Sequence, residues 1–178
     1  MPTASNSTSR IIHAEILTAA RFVPFGIVLE AGGETGRLVN QGRARRIEGA
    51  RNLSHERATK PVLDLYQIAQ SQLPFAVTCF ERHPLSCQIF TPMVCARYLV
   101  VVTLPDETGR PDVSRAVAFL GHGAQAVCYG KGTWHAPMIA LDEPALMTML
   151  MWESGEAADC EEFSLGDELR LSIGATGS

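Results

Sequence analysis

Apolar residues along this chain fall in short runs separated by turn residues, and almost nowhere at the 3.6-residue spacing of a helix. The β-prone runs cover residues 11–16, 25–30, 73–80, 87–91, 98–104, 115–120, 125–129, 137–141, 145–153 and 168–173. Between them sit His83-Pro84, Pro105-Asp106 through Pro111-Asp112, Gly121-His122-Gly123, Gly130 to Gly132, Asp142-Glu143-Pro144 and Ser154-Gly155. Two stretches read as helical. Thr18 is placed to cap one or two turns that stop at Pro24 and Gly26, and residues 63–70 come nearest to a helical period. Strands spaced this regularly, without alternating helices, predict an antiparallel sandwich or barrel. Within the run 145–153, Met147, Met149 and Met151 alternate, which marks the core face of a strand.

The chain has 178 residues, enough to bury a core without disulfide support. The expected organisation is a disordered polar tail over residues 1–10 followed by one domain over 11–178. A formal net charge of -4 argues against nucleic acid or an anionic membrane as a partner. The basic group Arg43, Arg45, Arg46 and Arg51 reads mainly as a solvated face. No apolar run approaches the ~20 residues that cross a bilayer. The five cysteines show no Cys-x-x-Cys pair and follow no secretion signal, so they read as reduced thiols of an intracellular, cytoplasmic protein. Gly32, Gly33 and Gly36 lack the Gly-Lys-Ser/Thr ending of a phosphate loop and read as a hairpin loop. No organic cofactor is expected.

The candidate chemistry lies in two islands. In the first, Glu81 and His83 are two residues apart, so on a strand they leave the same face, and Gln88 follows beyond a Pro-Leu-Ser turn. The second, Tyr129 to Pro137, brings His135 behind a glycine turn. This spacing resembles the two motifs of a cupin-like jelly-roll β-barrel, with Glu and Gln standing where that pattern has His and Glu. The expected fold is therefore all-β, with a few short helices, of that barrel kind. Glu81, His83, Gln88 and His135 together offer ligands for a divalent metal ion such as Ni, Zn or Mn. His13, His55 and His122 stand outside these two motifs and read as surface or loop residues.

A longer likeness covers roughly residues 18–164. Glu81-Arg-His-Pro-Leu-x-x-Gln-x-Phe-x-Pro-Met93, with Arg115-Ala116, Ala118-Phe119, Gly123-Ala-Gln125, Tyr129-Gly130, Gly132-Thr-Trp-His-Ala-Pro-Met138 and Asp159-Cys160, resembles the ureidoglycolate lyase family, also called ureidoglycolate hydrolase. Phe25-Gly26, Asn40-x-Gly42, Leu53-Ser54 and Arg57 fit the same family. Many bacterial members read Tyr-His and Trp-His-His where this chain has Tyr129-Gly130 and Trp134-His135-Ala136, and Asp-Arg where it has Trp152-Glu153; the form here is closer to the fungal branch.

The resemblance implies a homodimer that splits ureidoglycolate, a small-molecule substrate, into glyoxylate and urea during allantoin breakdown. That substrate is a carbinolamide bearing a carboxylate. Its cleavage needs a base for the hydroxyl proton, an acid for the departing urea nitrogen and a cation for the carboxylate. His83 and His135 are the expected catalytic groups, with Glu81 orienting or sharing the proton. Gln88, Asn40 and Tyr129 are expected to bind substrate, with Arg46, Arg57 and Lys131 as cations for its carboxylate. Arg82 alternates away from Glu81 and is expected to be structural. Two alternatives remain: a hydrolase releasing ammonia, and a non-catalytic small-molecule binder.

Overall fold

The computed structural model describes residues 10–31, 36–49, 53–165 and 171–174. Residues 1–9 of the expected polar tail, Gly32, Gly33 and Arg51 lie outside them. In chain order the elements are β1 (Arg10–His13), β2 (Glu15–Ile16), α1 (Ala19–Phe22), β3 (Gly26–Glu30), β4 (Arg37–Val39), β5 (Ala44–Arg46) and β6 (Lys60–Ile68). There follow β7 (Phe75–Val77), β8 (Cys79–Arg82), β9 (Gln88–Val94), β10 (Arg97–Thr103), β11 (Val117–His122) and β12 (Gln125–Tyr129). The chain continues with β13 (Trp134–His135), β14 (Ile139–Leu141), β15 (Ala145–Glu153), β16 (Glu161–Ser164) and β17 (Leu171–Gly174).

Two sheets carry the architecture. A seven-stranded sheet runs β16-β8-β13-β10-β11-β2, with β14 also paired to β10, and a five-stranded sheet runs β3-β12-β9-β15-β6. A three-stranded sheet, β1-β17-β7, and a β4-β5 ribbon complete the fold. The two large sheets face each other across one buried cluster. Tyr98, Val100, Val102 and Phe119 come from the first, and Phe90, Val127, Tyr129, Met147, Met149 and Met151 from the second. The alternating methionines therefore do form the inward face of β15, each buried side chain adding ~1.5–3 kcal/mol to the driving force for closing the two layers.

The expected cupin-like jelly-roll β-barrel does not form. The larger sheet ends at β16 and β2, the smaller at β3 and β6, and no ladder joins these ends among the described residues. An isolated bridge between Gln70 and Ala140 touches the two sheets without extending into a strand pair. The fold is a mixed, mostly β arrangement of open sheets, in which β1–β17 and β2–β11 are parallel pairs. Strand-sized runs and turn signals report where strands lie; they do not report whether outer strands find each other. Residues 63–70 are likewise not helical. They lie mostly in β6, which pairs with β15 along its whole length. Gly36 does not complete a β3–β4 hairpin either, since β3 pairs with β12 and β4 with β5.

The short helix is present as expected. Thr18 Oγ1 accepts the Arg21 N–H at 3.3 Å, and the single turn delivers Phe22 into the main cluster at 0% exposure.

Candidate active site

The two islands meet where β13 inserts between β8 and β10. His135 is register partner of Glu81 on one side and of Val102 on the other. In-register neighbours share a face, and Val102 belongs to the cluster between the sheets, so His135 and Glu81 point into that gap. Trp134 points the opposite way. The Arg82 guanidinium lies 4.6 Å from its ring centre and also pairs with Glu161, which gives Arg82 the structural place that alternation assigns it. His83 follows immediately after β8 and turns into the same gap.

Glu81, His83 and His135 each bring one ligand atom into a group whose members all lie within 4.8 Å of one another. Backbone carbonyls set both imidazoles. His83 Nδ1 lies 2.8 Å from the Asp159 carbonyl oxygen and His135 Nδ1 2.9 Å from that of Thr133. A carbonyl only accepts, so each Nδ1 carries a proton, and in the neutral ring each Nε2 presents a lone pair to the gap. His135 Nε2 stands 3.4 Å from Glu81 Oε1, an ion-pair distance without hydrogen-bond geometry. Above it the Tyr129 ring stacks on His135 with centroids 4.0 Å apart and planes 10° from parallel. Gln88 is adjacent, opposite Tyr129 in the β9–β12 register and Met151 in the β9–β15 register. Its amide nitrogen reaches the Met151 sulfur at 3.9 Å.

The resulting site is rich in acceptors and poor in donors. His83 Nε2, His135 Nε2, Gln88 Oε1 and the Tyr129 hydroxyl are buried without a hydrogen-bond partner. Each such group costs about 1–3 kcal/mol when left unpaired. Two imidazole lone pairs, an amide oxygen and a carboxylate suit a divalent cation, and Glu81, His83 and His135 fit the ligand set expected for one, with Gln88 Oε1 turned inward as a further donor. Burial, reinforced by the neighbouring His135, holds the His83 imidazole below its ordinary pKa, which favours the neutral, proton-accepting form. The closeness of the His135 imidazole outweighs burial at Glu81 and holds its carboxyl below the usual range. Burial pushes the Tyr129 hydroxyl well up, so it stays protonated.

Glycine geometry secures the approach of the two islands. Gly132, at φ +75°, closes the turn from which its N–H donates to the His83 carbonyl at 3.0 Å. On the same turn Lys131 is ion-paired with Glu56. Arg57 grips Glu156, with Nη2 to Oε2 at 2.9 Å. Asn40, at φ 53°, and Gly42, at φ 84°, build the exposed β4–β5 turn, which explains their spacing by backbone conformation; Arg46 lies exposed on β5. The structure thus gathers Glu81, His83 and His135, with Gln88 and Tyr129 alongside, whereas Arg57 and Lys131 are held by carboxylates and Asn40 and Arg46 ride on a separate ribbon. Cys160 and Glu162 form a second group with Glu81 at the exposed border of the site. The residues that sequence reasoning passed over are Thr133 and Asp159, which act through backbone oxygens; the Asp159-Cys160 motif was the available signal for the latter.

A family model described as ureidoglycolate lyase matches residues 9–172. The ureidoglycolate lyase of Azotobacter vinelandii is 32% identical over 169 residues, spanning 92% of this chain and 98% of its own. That of Chelativorans sp. is 36% identical over 167 residues, with the same coverages of 92% and 98%. These relatives, with those of Burkholderia mallei, are bacterial, and none of them points to a fungal branch. Among solved structures, a dTDP sugar isomerase from Desulfovibrio desulfuricans G20 superposes with a TM-score of 0.48 at 13% identity, covering 80% of this chain and 83% of that one.

Proposed function

The chain belongs to the ureidoglycolate lyase family, and from that premise we propose that it cleaves ureidoglycolate to glyoxylate and urea in the gap between its two sheets. The observation that carries this reading is the convergence of Glu81 with two imidazoles whose Nε2 atoms are both turned inward, buried and unpartnered. In the proposed reaction His83 Nε2 takes the hydroxyl proton of the carbinolamide, the C–N bond breaks as the C=O of glyoxylate forms, and the proton passes to the departing urea nitrogen. Glu81 and His135 orient and share that proton. Gln88, through its inward oxygen, binds the ureido N–H groups, and the Tyr129 hydroxyl donates to a substrate oxygen. Lys131 and Arg57 flank the turns that carry His135 and hold His83, and serve the carboxylate by exchanging their present acidic partners; Arg46 and Asn40 are more remote candidates on the ribbon. A divalent metal held by Glu81, His83, His135 and Gln88 would instead occupy the His83 Nε2 lone pair and itself acidify the substrate hydroxyl, in place of His83 as base.

In this reading the protein is a cytoplasmic homodimer. Leu63 and Leu65, exposed on the outer face of β6, support a second copy covering that face. Among the described residues no helix is long and apolar enough to cross a membrane.

The nitrogen product tests the proposal. Purified protein incubated with ureidoglycolate is expected to release urea and glyoxylate in equal amounts, faster than the spontaneous reaction. Ammonia in place of urea would make the enzyme a hydrolase, and glyoxylate only at the spontaneous rate would remove the catalytic reading.

A further inference from the structure

The loop between β15 and β16 is built around one carboxylate. Asp159 Oδ1 accepts from the Ser154 N–H at 2.9 Å and from the Ser154 hydroxyl at 2.8 Å. Its Oδ2 accepts from the Gly155 N–H at 2.7 Å and the Glu156 N–H at 3.2 Å. Three consecutive backbone donors are thereby gathered on one side chain, in a loop that turns through Gly155 at φ +82°. The Asp159 N–H returns to the Glu156 carbonyl at 3.0 Å, closing a short 3-10 turn over Ala157–Asp159 with a reciprocal capping box. Glu156 is in turn clamped by Arg57. Although burial works against ionisation here, the N–H donors of Ser154, Gly155 and Glu156 outweigh it and hold the carboxyl below its usual range.

This effort has an address. The carbonyl of the same residue receives His83 Nδ1–H at 2.8 Å, and with that bond His83 is 7% exposed and its Nε2 turned inward. An imidazole without a fixed acceptor at Nδ1 divides between two tautomers, and one of them puts the proton on Nε2, where it is useless as a base or a ligand. His135 has no equivalent device: Thr133, which supplies its carbonyl, is fixed by a single hydroxyl bond to the Phe25 carbonyl and by the β-turn bond to Gly130.

We propose that Asp159 is a positioning residue for the reaction: its side chain, by gathering the 154–156 backbone, holds its own carbonyl where it locks His83 in the Nδ1–H tautomer. The inference rests on His83 handling the proton, as proposed above. It also explains why a carboxylate that never enters the gap is surrounded by more donors than any group within it.

The test uses Asp159→Ala and Asp159→Asn in the full-length protein. Nitrogen-15 spectra of histidine-labelled protein as purified, without substrate, read the His83 tautomer directly. Because no turnover is involved, that readout survives failure of the lyase reading. Wild type is expected to show a single form protonated at Nδ1, and Asp159→Ala a mixture. With ureidoglycolate, Asp159→Ala is expected to lower kcat by about 10- to 100-fold, the usual range for a group supporting an active-site histidine, with KM little changed. Asp159→Asn keeps one acceptor oxygen for the loop and is expected to fall between the two in both readouts, and it decides the matter if the alanine variant does not fold. An unchanged His83 tautomer in a folded variant, whether or not kcat falls, would overturn the proposal.

Discussion

His83→Ala is expected to lower turnover of ureidoglycolate at least ~100-fold while leaving the fold intact, the lower range for removal of a positioned acid or base. The size follows from how completely the imidazole is committed. Its Nδ1 is bound to the Asp159 carbonyl, its Nε2 faces the Glu81–His135 group, and burial favours its neutral form. No neighbouring side chain can take over the same atom position: His135 is held by Thr133 and stacked under Tyr129. Stability is expected to change little, because His83 lies beyond the end of β8 and its buried Nε2 has no hydrogen-bond partner to lose. Steady-state kinetics with a thermal melt on the same preparation checks both halves. Near-normal turnover in a folded variant would take His83 out of the mechanism.

Phe22→Ala is expected to have the largest effect on stability, a loss of about 3–5 kcal/mol in urea unfolding, as for other buried aromatic truncations. Phe22 is fully buried and sits at the centre of an aromatic group. Its ring lies 5.7 Å from Phe119 in an edge-on contact, 5.9 Å from Phe25 and 6.2 Å from Tyr129. These partners come from both large sheets and from the turn leading into β3, so the cavity would open where the layers are joined. A single helical turn is too short to relax inward and fill it. Tyr129 carries the stack on His135, so the variant should also lose activity before it unfolds. A change below about 1 kcal/mol, the usual scale of a surface substitution, would show that the layers do not depend on this contact.

Much of the fold was legible where a single face is buried. Residues 145–151 alternate cleanly because β15 turns its methionines inward, and residues 126–129 and 98–102 are apolar on both faces because both are covered. β6 was not legible. Val62, Tyr66 and Ile68 face inward while Leu63 and Leu65 are exposed outside, so apolar residues fall on both sides of the strand and imitate a helical period. β13 has two residues and β16 has four, two of them charged, too little for any periodic signal. Sheet closure depends on pairing between outer strands, which leaves no mark on either strand alone, and the expected barrel failed for that reason. At the site, Glu81, His83 and His135 were legible because histidine is scarce in this chain, with five copies, and the three stand at a telling spacing. The carbonyls of Asp159 and Thr133 that aim the two imidazoles were not, since every residue carries a carbonyl and only its placement makes it special.

In the proposed reaction the two inward-facing histidines work as one unit on one substrate. Residues that act as a unit show strongly non-additive losses. The most direct measurement is the rate of glyoxylate release from ureidoglycolate by His83→Ala, His135→Ala and the double variant, each shown to be folded. The predicted result is that the double variant is about as slow as either single one. Losses that multiply in the double variant, or a double variant that keeps the wild-type rate, would contradict it.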